Sequence, residues 1–170
     1  KSTLMAQWHT ALAKAAPRTI AVAWLNLDEN DNDPPRLLRY LYGALGKCVP
    51  TLAAEAVREI SQTANLSVML EDLSIRLAAH EQPIVLFLDD AHVIANPDAA
   101  QIVEWLLSHA GTELRFVVGS RQAVGWPQAE LRVRGQLLEI TSRLGVRTAP
   151  AWDALGRLDH FRRTLRGRQN

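Results

Sequence analysis

Residues 83–90 read PIVLFLDD: five consecutive apolar side chains, Ile84 to Leu88, run straight into Asp89 and Asp90. An unbroken apolar run of this length, rather than an alternating one, fits a strand buried on both faces, as in a parallel sheet. The step to carboxylates marks the strand's carboxyl end, and ligands of open α/β sheets gather outside such ends. A carboxylate directly after Leu88 needs a crevice, a cation or a hydrogen-bond donor, because burying it unpaired is costly.

Outward from this stretch the chain alternates strand and helix. LRFVVGSR (114–121) is a second buried-type strand, ending at Ser120 and Arg121, and IAVAWLNL (20–27) is a third β-rich run. Apolar residues at helical spacing predict helices over 2–14 (Leu4, Met5, Trp8, Leu12), 36–46 (Leu37, Leu38, Leu41, Leu45), 66–80 (Leu66, Leu70, Leu73, Leu77) and 98–109. One more, of about ten residues, is expected after Pro50 through Ile60. DENDNDPP (28–35) is a turn cluster in which Asp33 can cap the next helix, with Pro34 and Pro35 tolerated in its first turn. This order predicts an α/β three-layer fold, with residues 22–27, 84–88 and 114–118 adjacent and mostly parallel and helices on both faces.

Three places can carry chemistry. At a strand end, paired carboxylates suit a nucleotide site: the first holds Mg²⁺ and the second orients or deprotonates the attacking water. The plainer alternative is that Asp89 and Asp90 cap a turn. Lys1, Ser2 and Thr3 precede a helix as the end of a phosphate loop does, where the lysine reaches phosphates and the hydroxyl ligates Mg²⁺. Alone, they read as an ordinary capped helix start. Arg121 offers a fixed guanidinium fork to a γ-phosphate, or else a surface salt bridge. Together, the three stand in the order expected of an ATP site.

KSTLMAQW (1–8), VAWLNLDENDNDPPRLLRYLYGAL (22–45), PIVLFLDDAHVI (83–94), LRFVVGSR (114–121) and RVRGQLLEI (132–140) are similar to one family's nucleotide-binding domain. The chain resembles the large ATP-dependent LuxR-type transcriptional regulators, P-loop ATPases of the maltose-regulon-activator class. The resemblance implies an ATP- and Mg²⁺-dependent switch whose full-length form senses an inducer, self-associates and binds promoter DNA through a helix-turn-helix. It matches Lys1 to the phosphate-loop lysine, Ser2 to the magnesium-ligating hydroxyl and Asp89 to the magnesium-binding acid. Thr3 follows in the same phosphate-binding turn. Asp90 is the acid beside Asp89, with a catalytic part in water attack, and Arg121 is the γ-phosphate sensor. His92 falls in the family's D-D-x-H pattern, and the DNDP segment (31–34) has no assigned chemistry beyond turn and cap. The family's first strand and phosphate-cradling glycines would precede Lys1, so a P-loop fold incomplete at its start is expected, with poor ATP binding and little hydrolysis. Residues 1–140 are read as this partial domain and 141–170 as a divergent basic segment, weakly helical or disordered.

Composition limits the other possibilities. A chain of 170 residues, 48% hydrophobic, can bury one real core. Its net charge of +1 gives no general affinity for nucleic acid or membrane. In residues 141–170, seven arginines against Asp153 and Asp159 leave net +5, and the first 140 residues carry net −4. Cys48, the one cysteine, excludes an internal disulfide and reads as a buried thiol. With no membrane-length apolar run and no signal peptide, a cytoplasmic setting is expected. A P-loop enzyme of another class, and a small basic nucleic-acid-binding protein using the arginine tail, remain the alternatives.

Overall fold

The structure, a computed structural model, describes residues 2–15, 19–52, 65–109, 114–126, 139–141 and 144–147. Lys1, the helix expected through Ile60 beyond Leu52, residues 132–138 of the RVRGQLLEI stretch, the segment 151–165 and the arginine cluster at 157–168 lie outside the described residues. Contacts divide the chain into two compact units, Lys1–Trp126 and Pro127–Asn170.

The apolar run forms the middle of the first unit's sheet. Strand β2 (Ile84–Asp89) lies between β1 (Ala21–Asn26) and β3 (Leu114–Val118), and both pairings are parallel. Every residue of β2 is buried, as its unbroken apolar pattern requires. The flanking strands differ from expectation. β1 alternates buried and half-buried positions, while β3 goes from buried Leu114 to exposed Val118. Only the central strand is covered on both faces along its whole length.

Helices supply the two outer layers. Helix α1 (Ser2–Ala15) packs on one face through Met5, Trp8 and Leu12 against Val22, Trp24, Val85, Phe87 and Val117. Helices α2 (Pro34–Leu45), α3 (Leu66–Ala78) and α4 (Pro97–His109) cover the other, enclosing Ala23, Leu25, Ile84, Leu86 and Leu88. Starts are set by side-chain caps: Asp33 accepts from the Arg36 amide with Pro34 and Pro35 at the first helical positions, and Asn65 accepts from Ser67. Likewise, Asn96 accepts from the Asp98 amide at 2.9 Å, so α4 starts one residue earlier than the apolar spacing indicated. Cys48 is half-buried rather than buried, its thiol donating to the Leu45 carbonyl.

In the second unit, β4 (Glu139–Thr141) and β5 (Leu144–Arg147) form an antiparallel pair with an irregular register. Residues 144–147 are thus extended, and β4 spans residue 140. Among the described residues no helix is long and apolar enough to cross a membrane.

Candidate functional site

Strand parity decides which way each acid faces. Ile84, Leu86 and Leu88 join the core under α2–α4, whereas Val85 and Phe87 join the cluster under α1. Asp89 continues the second set, so the strand's pleat directs it to the α1 face. It is 3% exposed, and its Oδ1 accepts from the Asp90 amide at 3.0 Å. Above it sits the first turn of α1. A Cβ built on Gly119, just past β3, would collide with Met5 Sδ and lie 2.7 Å from Asp89 Oδ1. Gly119, Met5 and Asp89 therefore meet in a space with no room for another side chain.

Asp90 does not continue the strand. Its φ of 56° and ψ of 36° place it in the left-handed region, the one such non-glycine among the described residues. Aspartate tolerates that conformation better than most residues, and such outliers concentrate at functional sites. The turn is held by main-chain bonds on both flanks: Gly119 donates to the Leu88 carbonyl at 2.8 Å and Ala91 to the Gly119 carbonyl at 2.9 Å. Leu27, leaving β1, donates to the Asp89 carbonyl at 3.1 Å. All three strand ends are thereby laced together around the acids.

Arg121 completes the cluster. Its Nε lies 3.5 Å from Asp90 Oδ1, and its side chain is 73% exposed. At that distance and exposure the pair stabilises the chain by about 0–1 kcal/mol, so the guanidinium is easily drawn to another anion. On the other side, His92 Nδ1 lies 3.8 Å from the same oxygen and is buried without a hydrogen-bond partner. Ser120 turns its hydroxyl onto the Gln122 carbonyl, shaping the loop instead of facing the acids. Asp89, Asp90 and Arg121 therefore converge at the carboxyl ends of adjacent parallel strands. Ser2 and Thr3 open α1, in the same first turn as Met5, and are exposed.

Among the described residues no group of three or more His, Cys, Asp and Glu side chains could hold a metal ion by itself. Magnesium is commonly held by one or two carboxylates, with water and substrate phosphates filling the remaining positions. A single inward carboxylate beside an exposed arginine fits that donor set. It does not fit a closed protein cage.

Two residues of this region escaped the sequence reading. Gly119 was seen only as a small residue after a strand, although a glycine at a strand end beside an acid signals close approach. Asn32, in the turn after β1, bonds to the loop following Asp90. Nothing local marks its reach to that loop, since those partners lie more than sixty residues away.

No family model matches the chain. Over 148 residues it is 38% identical to the HTH-type transcriptional regulator MalT of Cronobacter sakazakii, a match taking in 84% of the chain. The MalT proteins of Serratia proteamaculans and Klebsiella pneumoniae are each 37% identical over 145 residues, with 82% and 84% of the chain matched. In all three cases the chain spans 15% of the relative's length.

Proposed function

We propose that this chain, homologous to one segment of the MalT-type LuxR transcriptional regulators, is an ATP-binding switch module whose phosphate site is the strand-end cluster. The observation that carries the reading is that Asp89 lies beside Gly119 and Met5 of α1 while the next residue, Asp90, meets Arg121 at the adjoining strand ends. Asp89 is the cation-facing acid: buried and aimed to the α1 side, it presents oxygen to a hard ion. Ser2 and Thr3 open α1, with Ser2 as the second magnesium ligand, and the resemblance assigns Lys1 to the phosphates. Bound Mg²⁺ would supply positive charge to the β- and γ-phosphates.

Arg121 gives the module its two states. Its Nε lies 3.5 Å from Asp90 Oδ1, and a triphosphate would draw it to the γ-phosphate, whose oxygens its fork matches better than one distant carboxylate. That exchange frees Asp90 to accept a proton from water or to orient it. A ligand shifts such an equilibrium only through its different affinity for the two states, and ADP offers Arg121 no γ-phosphate. Hydrolysis, where it occurs, is slow and resets the switch. In a whole regulator, inducer sensing, self-association and promoter binding would be coupled to this exchange.

Titration of ATP and ADP with and without Mg²⁺, alongside phosphate release, tests the reading. The resemblance implies phosphate-cradling glycines ahead of Lys1. Both the 170-residue chain and the chain extended by the preceding segment of the Cronobacter sakazakii relative are therefore titrated. In the extended chain, Asp89→Asn weakens Mg²⁺-dependent binding. Asp90→Asn keeps a residue type that tolerates the left-handed turn, spares binding and slows phosphate release by about 10²–10⁴-fold. Arg121→Ala erases the preference for ATP over ADP. Equal ATP and ADP affinity in the unsubstituted extended chain sinks the γ-phosphate role, and unchanged behaviour in both aspartate variants sinks the site.

A further inference from the structure

We infer that Asn32 is a positioning residue, which fastens the loop Asp90–Asn96 to the chain following β1 and so holds Asp90 in its turn. The use made of Asp90 rests on the function proposed above; the fastening rests on geometry alone. Asn32 Nδ2 donates to the Val93 carbonyl at 2.8 Å and to the Glu29 carbonyl at 3.0 Å. Its Oδ1 accepts from the amides of Ala95 at 2.7 Å and Asn96 at 2.9 Å. The return bond runs from Asn96 Nδ2 to the Asn32 carbonyl at 2.8 Å. Both ends of the amide thus reach across a gap of more than sixty residues in sequence, and the second Nδ2 donor closes the local turn onto Glu29.

The arm that presents Asn32 is itself rigid. Buried Asp31 accepts from the Asp28 amide at 2.8 Å and from Arg36 Nε at 3.3 Å, while Asp28 accepts from Asn30 at 2.8 Å. On the far side, Val93 donates to the Asp90 carbonyl at 3.0 Å, and Ala91 is tied to Gly119. Asp90 is therefore bracketed, by the β3 end on one flank and by Asn32 through Val93 on the other. This gives the DNDP segment a division of labour. Asp31 stiffens the turn, Asn32 reaches across, Asp33 caps α2 and Pro34 opens it.

Asparagine is the residue that fits, because the site asks for two donors to carbonyls and an acceptor for two amides. Asn32→Asp has the same shape but turns a carboxylate oxygen onto the Val93 and Glu29 carbonyls. Near neutral pH it should raise amide exchange at Ala91–Asn96 at least tenfold beyond the rest of the 170-residue chain. Towards pH 4, protonation of the introduced carboxyl restores a donor, and the excess should shrink. As a control, Asn65→Ala removes an N-cap on α3 and should loosen that loop no more than the rest. Should Asn32→Asp fail to fold, Asn96→Asp removes the return bond alone, keeps its cap of α4, and is read in the same way.

In phosphate release, Asn32→Asp should lower kcat by up to about 10²-fold with KM nearly unchanged, since a displaced group near the chemistry costs rate before binding. Uniform exchange across the chain, with no excess at Ala91–Asn96, overturns the fastening. Loosening without any fall in kcat overturns the positioning of Asp90. Phosphate release is read in the extended chain; if that chain, unsubstituted, turns over no ATP, the proposed function loses its hydrolytic step, and the exchange comparison alone decides the fastening.

Discussion

The tightest constraint at the level of single residues is the point where Gly119, Met5 and Asp89 meet. A methyl group on Gly119 has nowhere to go without moving the Met5 thioether or the Asp89 carboxylate. Overpacking of this kind costs about 1–3 kcal/mol. Gly119→Ala should therefore lower the midpoint of thermal unfolding and, by shifting Asp89, weaken Mg²⁺-dependent nucleotide binding further than stability alone explains. Adding Met5→Ala should return part of the lost stability, because the two changes share one space and are not additive. A neutral Gly119→Ala would mean that the crowding is not real. That Asp89, Asp90 and Arg121 stand at strand ends was legible in the sequence, because each closes or follows an apolar run and the step from grease to charge needs no knowledge of neighbours. The Asp90–Arg121 contact and the fit at Gly119 were not legible. They exist only once β2 and β3 lie in register.

Between elements, a buried phenol joins α2 to α3. Tyr42 is fully buried, and its hydroxyl donates to the Met69 carbonyl at 2.7 Å while lying 3.2 Å from Asp72 Oδ2. Burial, and then the Asp72 charge, push its pKa well above the ordinary tyrosine value. A group raised in the folded state contributes stability that is fully present below its unfolded pKa of about 10 and is lost as pH rises through the folded value. Denaturant unfolding should accordingly show stability falling above about pH 10, and Tyr42→Phe should flatten that slope by Tyr42's share. At pH 7 the same change should cost about 0.5–1.5 kcal/mol for the lost hydrogen bond. An alkaline slope identical in both chains would remove the phenol from the account. Helix positions were well forecast at this scale, because caps such as Asp33 and apolar spacings are local signals. Edge character was not. β1 and β3 are nearly as apolar as β2, and an apolar run does not say whether its second face is covered completely or in part.

For the unit Lys1–Trp126 taken whole, the two faces of the sheet are unequally covered. One carries α2, α3 and α4, with Leu37, Leu38, Leu41, Leu73, Leu77 and Leu106 essentially inaccessible. Among the described residues the other carries α1, whose one buried side chain is Met5, with aromatic edges from His9 on Trp24 and Phe87, 5.7 and 5.5 Å away. A helix of fourteen residues is marginal without tertiary packing, so α1 depends on this thin contact. Asp89 lies on the α1 face as well. A nucleotide bound there would therefore act on the least firmly held layer and leave the main core undisturbed, which is what a switch requires. Native-state hydrogen exchange should show amides of α1 opening at least about tenfold more readily than those of β2 and α2, and with weaker denaturant dependence, as a subglobal event. Mg²⁺-ATP should then slow exchange in α1 and at Ala91–Val93 selectively, because a ligand stabilises only the form that binds it. If α1 and β2 exchange at one rate with one denaturant dependence, the layers are a single cooperative unit, and a nucleotide could move α1 only by unfolding the whole.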